Sequence, residues 1–301
     1  MNASPMPAAE VDVTLDVVRR LVREQMPDLA GRHLRMLAHG WDNVMVSIGD
    51  DLVARLPRRA VAVELLLHEQ RWLPDLAPRL PLPIPVPVRV GRPGHGYPWP
   101  WSLVSHLPGD IAARTPPADH GHSAVTLARF LAALHVPAPL TAPRNPVRGV
   151  PLHRRAAALA ENVDRLGTTV DGHLVTRMFR AAVTAVTWAR PPVWLHGDLH
   201  PANILVDGGL LSAVIDFGDI TAGDPATDLA VCWMLLPPDS HRTFVSAYAA
   251  ASRHPADEGL WIRARAWALV LSTALLARSA DNPQMAAIGR RTLDAVLDSD
   301  S

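Results

Sequence analysis

The sequence predicts an α+β chain of two lobes, with an antiparallel-sheet lobe first and a helix-rich lobe after it. Three observations lead there. Between residues 34 and 106, short alternating apolar runs are broken by glycine, aspartate and proline, the pattern of half-buried strands. Beyond Leu107-Pro108-Gly109-Asp110 the apolar positions recur at helical spacing instead. The length, 301 residues, exceeds one ordinary compact core and suits two lobes around a cleft. The expected division is 1–106 and 107–301.

The elements follow in order. Val11 to Gln25 sets Val13, Val17, Val18, Leu21 and Val22 among arginines and acids, an amphipathic helix that Pro27 ends. Leu34 to Ala38, Val44 to Ile48 and Leu52 to Leu56 read as a meander with turns at Gly40 and Gly49-Asp50-Asp51. Ala60 to Leu73 is rich in helix formers, so a helix crosses the sheet there. Pro74 to Pro87 is a connector whose prolines exclude a helix interior. Val86 to Val90 and Trp101 to His106 form a second strand pair. Helices are then expected at Ala124–His135, Arg154–Leu166, Leu174–Trp188, Ser240–Ala251 and Leu260–Ala277. The proline-rich Val136 to Pro151 reads as a surface excursion.

Composition removes several classes of function. Basic and acidic residues balance at 29 each, so there is no electrostatic reason to expect nucleic acid as partner. No stretch of about 18 uncharged apolar residues occurs, so no membrane span is expected. The single cysteine, Cys232, lies in an apolar run and reads as core, which fits a cytoplasmic protein. Cysteine and histidine spacings do not suggest zinc. Every basic residue is arginine, so any side-chain cation that meets phosphate is arginine or histidine. Trp72, Trp188, Trp233 and Trp267 fall on apolar helical faces and are expected to pack. The sequence is silent on oligomeric state.

The chemistry concentrates between Trp194 and Ala230. Asp207-Gly208-Gly209 separates the apolar runs Ile204-Leu205-Val206 and Leu210 to Ile215, a strong hairpin signal because glycine accepts positive φ. Folding about that turn brings Asn203, before the first strand, beside Asp216, after the second. An amide oxygen and a carboxylate make a partial shell for Mg²⁺, which phosphates and water complete. Asp198, five residues before Asn203, sits in a loop bent by Gly197 and Pro201. A carboxylate there accepts the proton of a hydroxyl during phosphoryl transfer.

His196-Gly197-Asp198-Leu199-His200-Pro201-Ala202-Asn203-Ile204-Leu205 and Ile215-Asp216-Phe217-Gly218-Asp219 resemble the two signatures of the aminoglycoside phosphotransferase family. The resemblance implies a bilobal protein-kinase-like fold, Asp198 as catalytic base, and Asn203 and Asp216 as Mg²⁺ ligands. It also sets Arg55 where that fold carries a lysine, with Glu69 as its helix partner. The loop from His39 to Val44, with Trp41, Asp42 and Asn43, would cover the phosphates. Ser105, His106 and Leu107 would form the hinge against the adenine edge, with Met36, Val53 and Ile215 lining the pocket.

His200 and Asp219 are the candidate substrate contacts, although His196 and His200 equally suit holding the loop. Asp224 is expected to cap the next helix and Asp228 to brace the catalytic loop from within. The implied reaction moves the γ-phosphate of ATP or GTP to a hydroxyl of a small molecule. An aminoglycoside or another antibiotic, with a role in resistance, is one acceptor class. A sugar or choline-like metabolite is another, and a nucleotide-binding pseudokinase is the alternative. A polycationic acceptor would need an acidic pocket, for which Asp219, Asp257 and Glu258 are the only visible candidates.

Overall fold

The computed structural model describes residues 8–254, 257–279 and 281–298. Helix α1 (Leu15–Gln25) starts where the Thr14 hydroxyl accepts the Val17 N–H at 3.3 Å, and it buries Val18, Leu21 and Val22. Strands β1 (Leu34–His39), β2 (Asn43–Ile48) and β3 (Leu52–Pro57) form the expected meander. Helix α2 (Val61–Leu76) follows, then β4 (Pro87–Gly91) and β5 (Trp101–Ser105). The five strands lie in the order β1-β2-β3-β5-β4, every neighbouring pair antiparallel. Under the sheet, Val18, Leu21, Val46, Ile48, Leu56 and Trp101 build one apolar core.

Helix α2 runs one turn beyond the expected stop, with Pro74 inside it. A proline in a final turn forfeits one backbone hydrogen bond, and the extension buries Leu76 beside Leu73. Those two leucines join the second core, which belongs to the helix-rich part.

That part begins with β6 (Asp110–Ile111) and α3 (His120–Leu134), capped by the Asp119 carboxylate on the His122 N–H. Next come α4 (Ala156–Leu166), α5 (Gly172–Val183), β7 (Val193–Leu195), β8 (Ile204–Asp207) and β9 (Leu210–Val214). They are followed by β10 (Thr221–Gly223), α6 (Ala226–Leu229), α7 (Val231–Leu235) and α8 (Pro238–Ala251). The chain closes with α9 (Leu260–Arg278) and α10 (Pro283–Asp298). The result is an α+β fold, a five-stranded antiparallel sheet followed by a helix-rich part.

Helix α9 is long and apolar enough to cross a membrane by composition, yet it is the central helix of the second core, packed by α4, α6 and α10. Helix α5 stops at Val183, short of the expected Trp188. Trp188 is therefore not helical; its indole N–H donates to the Pro191 carbonyl and its ring meets His254 edge-on. The other three tryptophans pack as expected, Trp72 against Trp194 and Trp233 and Trp267 in the core.

Candidate active site

The site is assembled on the loop after β7. Gly197 has φ of +88°, and a Cβ there would lie 2.2 Å from the Asp219 carbonyl oxygen, so only glycine fits. The fully buried Asp228 carboxylate accepts the N–H groups of His196 at 2.7 Å and Gly197 at 2.9 Å, and meets His135 Nε2 at 3.2 Å. This is the expected internal brace. His196 is buried on Phe217, takes the Asp198 N–H on Nδ1, and reaches the Ile215 carbonyl with Nε2. Its role is to hold the loop.

Asp198 emerges from this frame with its side chain 30% exposed. Arg148 lies 2.5 Å from its Oδ1, and His200 Nε2 3.4 Å from its Oδ2. Burial favours the neutral acid, but the charge of Arg148, reinforced by His200 and His196, outweighs it and holds the carboxyl well below the usual range. His200 is itself buried, with Nδ1 accepting the Ala202 N–H at 3.3 Å, so both ring nitrogens face the loop's own groups.

The hairpin forms with a two-residue turn, Asp207 opposite Leu210, and Gly208 and Gly209 both have positive φ. Its open end behaves as the spacing implies, for the Ile215 N–H donates to the Asn203 carbonyl at 2.9 Å. The Asn203 side chain donates Nδ2–H to the Asp198 carbonyl at 2.9 Å, which turns its oxygen away from that carbonyl. Asp216 adopts φ of +64°, a conformation that costs a non-glycine residue about 1–3 kcal/mol and here projects a carboxylate that is 60% exposed.

Across the cleft, Arg55 on β3 meets Glu69 on α2 at 2.8 Å, both side chains buried, and approaches Asp216 at 3.6 Å. Burial pulls the guanidinium pKa down, but Glu69 and Asp216 more than offset it, so Arg55 stays charged. Burial lifts the Glu69 carboxyl to about 7 against the opposing pull of Arg55.

The loop between β1 and β2 is tied from below, where Arg58 donates to the Gly40 carbonyl and Arg59 pairs with Asp42. Trp41 at its tip is 47% exposed. Asn43 Oδ1 is buried without a hydrogen-bond partner among the described residues. Gly40, Trp41, Asp42 and Asn43 line one cavity of about 980 Å³ together with Arg55, Glu69, Asp198, Asn203, Asp216, Asp219 and the segment Ser105-His106-Leu107. The His106 N–H is engaged by the Asp51 carbonyl at 2.8 Å. Val53 and Ile215 line the cavity, whereas Met36 does not. It packs into the core on the opposite face, and a bulge between Met36 and Ala38 leaves Leu37 and Met45 on the cleft side.

Sequence reasoning misjudged the segment that meets Asp198. Val136 to Pro151 is no mere surface excursion, because it delivers Arg148 to Asp198. Asn145 anchors it: the side-chain oxygen accepts the Val147 and Arg148 N–H groups, and the amide donates to Asp219 Oδ1 at 2.6 Å. The Asn145 N–H binds Thr221 and the Gly149 N–H binds Thr227. Asn145-Pro146 was a visible turn signal. Its target, 74 residues away along the chain at Asp219, was not visible. Asp224 sits just before Pro225, the N-cap of α6, rather than at the cap itself; it accepts the Ala226 N–H at 3.0 Å and also pairs with buried Arg263. Asp257 pairs with that same arginine at 2.7 Å, and neither it nor Glu258 is among the residues lining the cleft.

The geometry can be set beside known proteins. The chain resembles the GDP and kanamycin complex of APH(2″)-IIIa at TM-score 0.69 and 21% identity, over 92% of this chain and 97% of that one. The apoenzyme of macrolide 2′-phosphotransferase MphH from Brachybacterium faecium aligns at TM-score 0.62 and 25% identity, over 94% and 98%. ADP-bound APH(2″)-Ib aligns at 0.59 and 14%, over 94% and 99%. No curated protein matches the sequence. The model of the phosphotransferase enzyme family matches residues 33–267, a span that takes in the Arg55–Glu69 pair, the loop after β7 and the hairpin. With a match over well more than half its length and the fold to accompany it, the chain belongs to the APH phosphotransferase family.

Proposed function

We propose that the chain transfers the γ-phosphate of ATP or GTP to a hydroxyl group of a small molecule, with Asp198 as the base. The supporting observation is convergence: Asp198, Asn203, Asp216 and the Arg55–Glu69 pair arrive from four separate places in the chain at a single cleft. The acceptor oxygen forms the new bond to γ-phosphorus as Asp198 takes its proton. The bond from γ-phosphorus to the bridging oxygen breaks and the nucleoside diphosphate leaves. Arg148 and His200 hold the two carboxylate oxygens, fixing the base in its anionic form.

The donor set at the hairpin fits Mg²⁺. Asp216 offers an exposed carboxylate and Asn203 an amide oxygen, and no three His, Cys, Asp or Glu side chains form a closed metal cage among the described residues. Nucleotide phosphates would complete the shell. Bound Mg²⁺ would neutralise charge on the phosphates. Arg55, oriented by Glu69, holds the phosphate chain, the loop of Trp41, Asp42 and Asn43 covers it, and the backbone of Ser105 to Leu107 takes the base edge.

Solved relatives hold GDP, ADP or ATP, and some hold kanamycin, gentamicin or streptomycin, which supports a nucleotide donor and an antibiotic-like acceptor with a part in resistance. We assign the protein to the cytoplasm, where nucleotide and a reduced, buried Cys232 coexist. The test is a panel of hydroxylated acceptors with nucleotide and Mg²⁺, repeated on Asp198→Ala. Turnover that survives the substitution sinks the proposed base. Nucleotide binding without any acceptor phosphorylated would favour a binding-only protein.

A further inference from the structure

Past Asp198, the cleft continues between helices. Its far wall is Met234 of α7, Leu271 and Leu275 of α9, and Met285 of α10, joined by the uncharged polar Ser279, Asn282 and Gln284. The carboxylates among the described lining residues are Asp42, Glu69, Asp198, Asp216 and Asp219, and none belongs to α7, α9 or α10. All but Asp219 have been assigned to nucleotide, metal or proton transfer. Asp219 is committed to the Asn145 amide at 2.6 Å, and burial, then the charge of Asp198, shifts its carboxyl toward the neutral form.

The cations at this end reinforce the point. Arg278, at the last turn of α9, lines the cleft, and Arg148 sits on Asp198. Both lie near enough to Arg155 that, after burial, their charges lower its proton affinity. Arg278 shares Glu161 with Arg165, at 3.3 and 2.7 Å, and Arg148 pairs with Asp198, so these ion pairs leave no surplus of negative charge. An acceptor carrying several ammonium groups would meet guanidinium and leucine where it needs carboxylate.

We infer that the acceptor subsite takes a hydroxylated amphiphile with a broad apolar face and at most one cationic group, in preference to a polyamino sugar. This rests on the phosphotransferase reading and sharpens it. The apolar face of the acceptor is buried on Leu271, Leu275 and Met285, which turns one hydroxyl toward Asp198.

The experiment uses the full chain with nucleotide and Mg²⁺, and two probes: a hydroxylated macrolide bearing one amine, and kanamycin. Product mass and nucleotide consumption give kcat/KM for each, and calorimetry gives the affinities for both probes and for nucleotide. The expected result is a kcat/KM at least about tenfold higher for the macrolide. Equal or better use of kanamycin overturns the inference while leaving the phosphotransferase reading intact. So does nucleotide binding with neither probe bound. Failure to bind nucleotide overturns the underlying reading itself. Leu275→Glu and, independently, Met285→Glu place a carboxylate on this wall. Each should move the macrolide-to-kanamycin ratio at least about tenfold toward kanamycin. An unchanged ratio in folded forms of both overturns the assignment of the wall.

Discussion

At the scale of residues, the centre of the site was legible because its logic is local. A two-glycine turn fixes the register of one hairpin, and the register brings Asn203 to Asp216. Arg55 was legible for a different reason: the family resemblance sets it where the kinase-like fold carries a lysine, and this chain contains no lysine to stand there. Removing it leaves Glu69 buried and unpaired, so Arg55→Ala should destabilise the fold by about 3–5 kcal/mol in denaturant titration. Arg55→Lys should retain the fold and raise the KM for nucleotide, since an ammonium replaces a fork with a point. Arg148 was illegible, because its partner lies 50 residues on and only the tertiary fold joins them. Its charge is the main opponent of burial at Asp198. In Arg148→Ala the Asp198 carboxyl should therefore hold its proton to higher pH, and, if it is the base we propose, the acid limb of the kcat/KM profile should move upward. An acid limb that stays in place would show that Arg148 does not set the ionisation of Asp198.

At the scale of elements, periodicity found the long pieces and lost the short ones. The meander and α9 declare themselves through alternation and through an apolar run too long for a strand. Strands β7 and β10 have three residues each, too few to carry a period, although they pair beside the loop that carries Asp198. Helix α10 was missed as well, and with it one wall of the cleft. Helix α2 overran Pro74 because burial of Leu73 and Leu76 outweighs one missing hydrogen bond. The loop after β7 is the element most sensitive to change. Gly197→Ala combines a left-handed φ with a collision against the Asp219 carbonyl. The substitution should cost about 1–3 kcal/mol in thermal or denaturant unfolding and displace Asp198, lowering kcat more than it changes nucleotide affinity.

At the scale of the molecule, the buried side chains form two apolar cores. We propose that residues 1–106 and 107–301 act as two lobes gripping the nucleotide, with the end of α2 reaching into the second core. Ligand binding across such a cleft stabilises the whole. At a hundredfold excess over Kd, ATP or GTP with Mg²⁺ should add about 2.7 kcal/mol and raise Tm by several degrees. Mg²⁺ alone should do much less, because Asn203 and Asp216, the proposed ligands, would supply only part of its shell. The central claim is that the carboxylate of Asp198 takes the acceptor proton, and Asp198→Asn tests it most directly because it preserves shape and removes the base. The measurement is acceptor-dependent nucleotide consumption, with nucleotide affinity followed alongside. The account predicts kcat lower by about 10²–10⁴-fold with nucleotide still bound; acceptor turnover at the wild-type rate would contradict it.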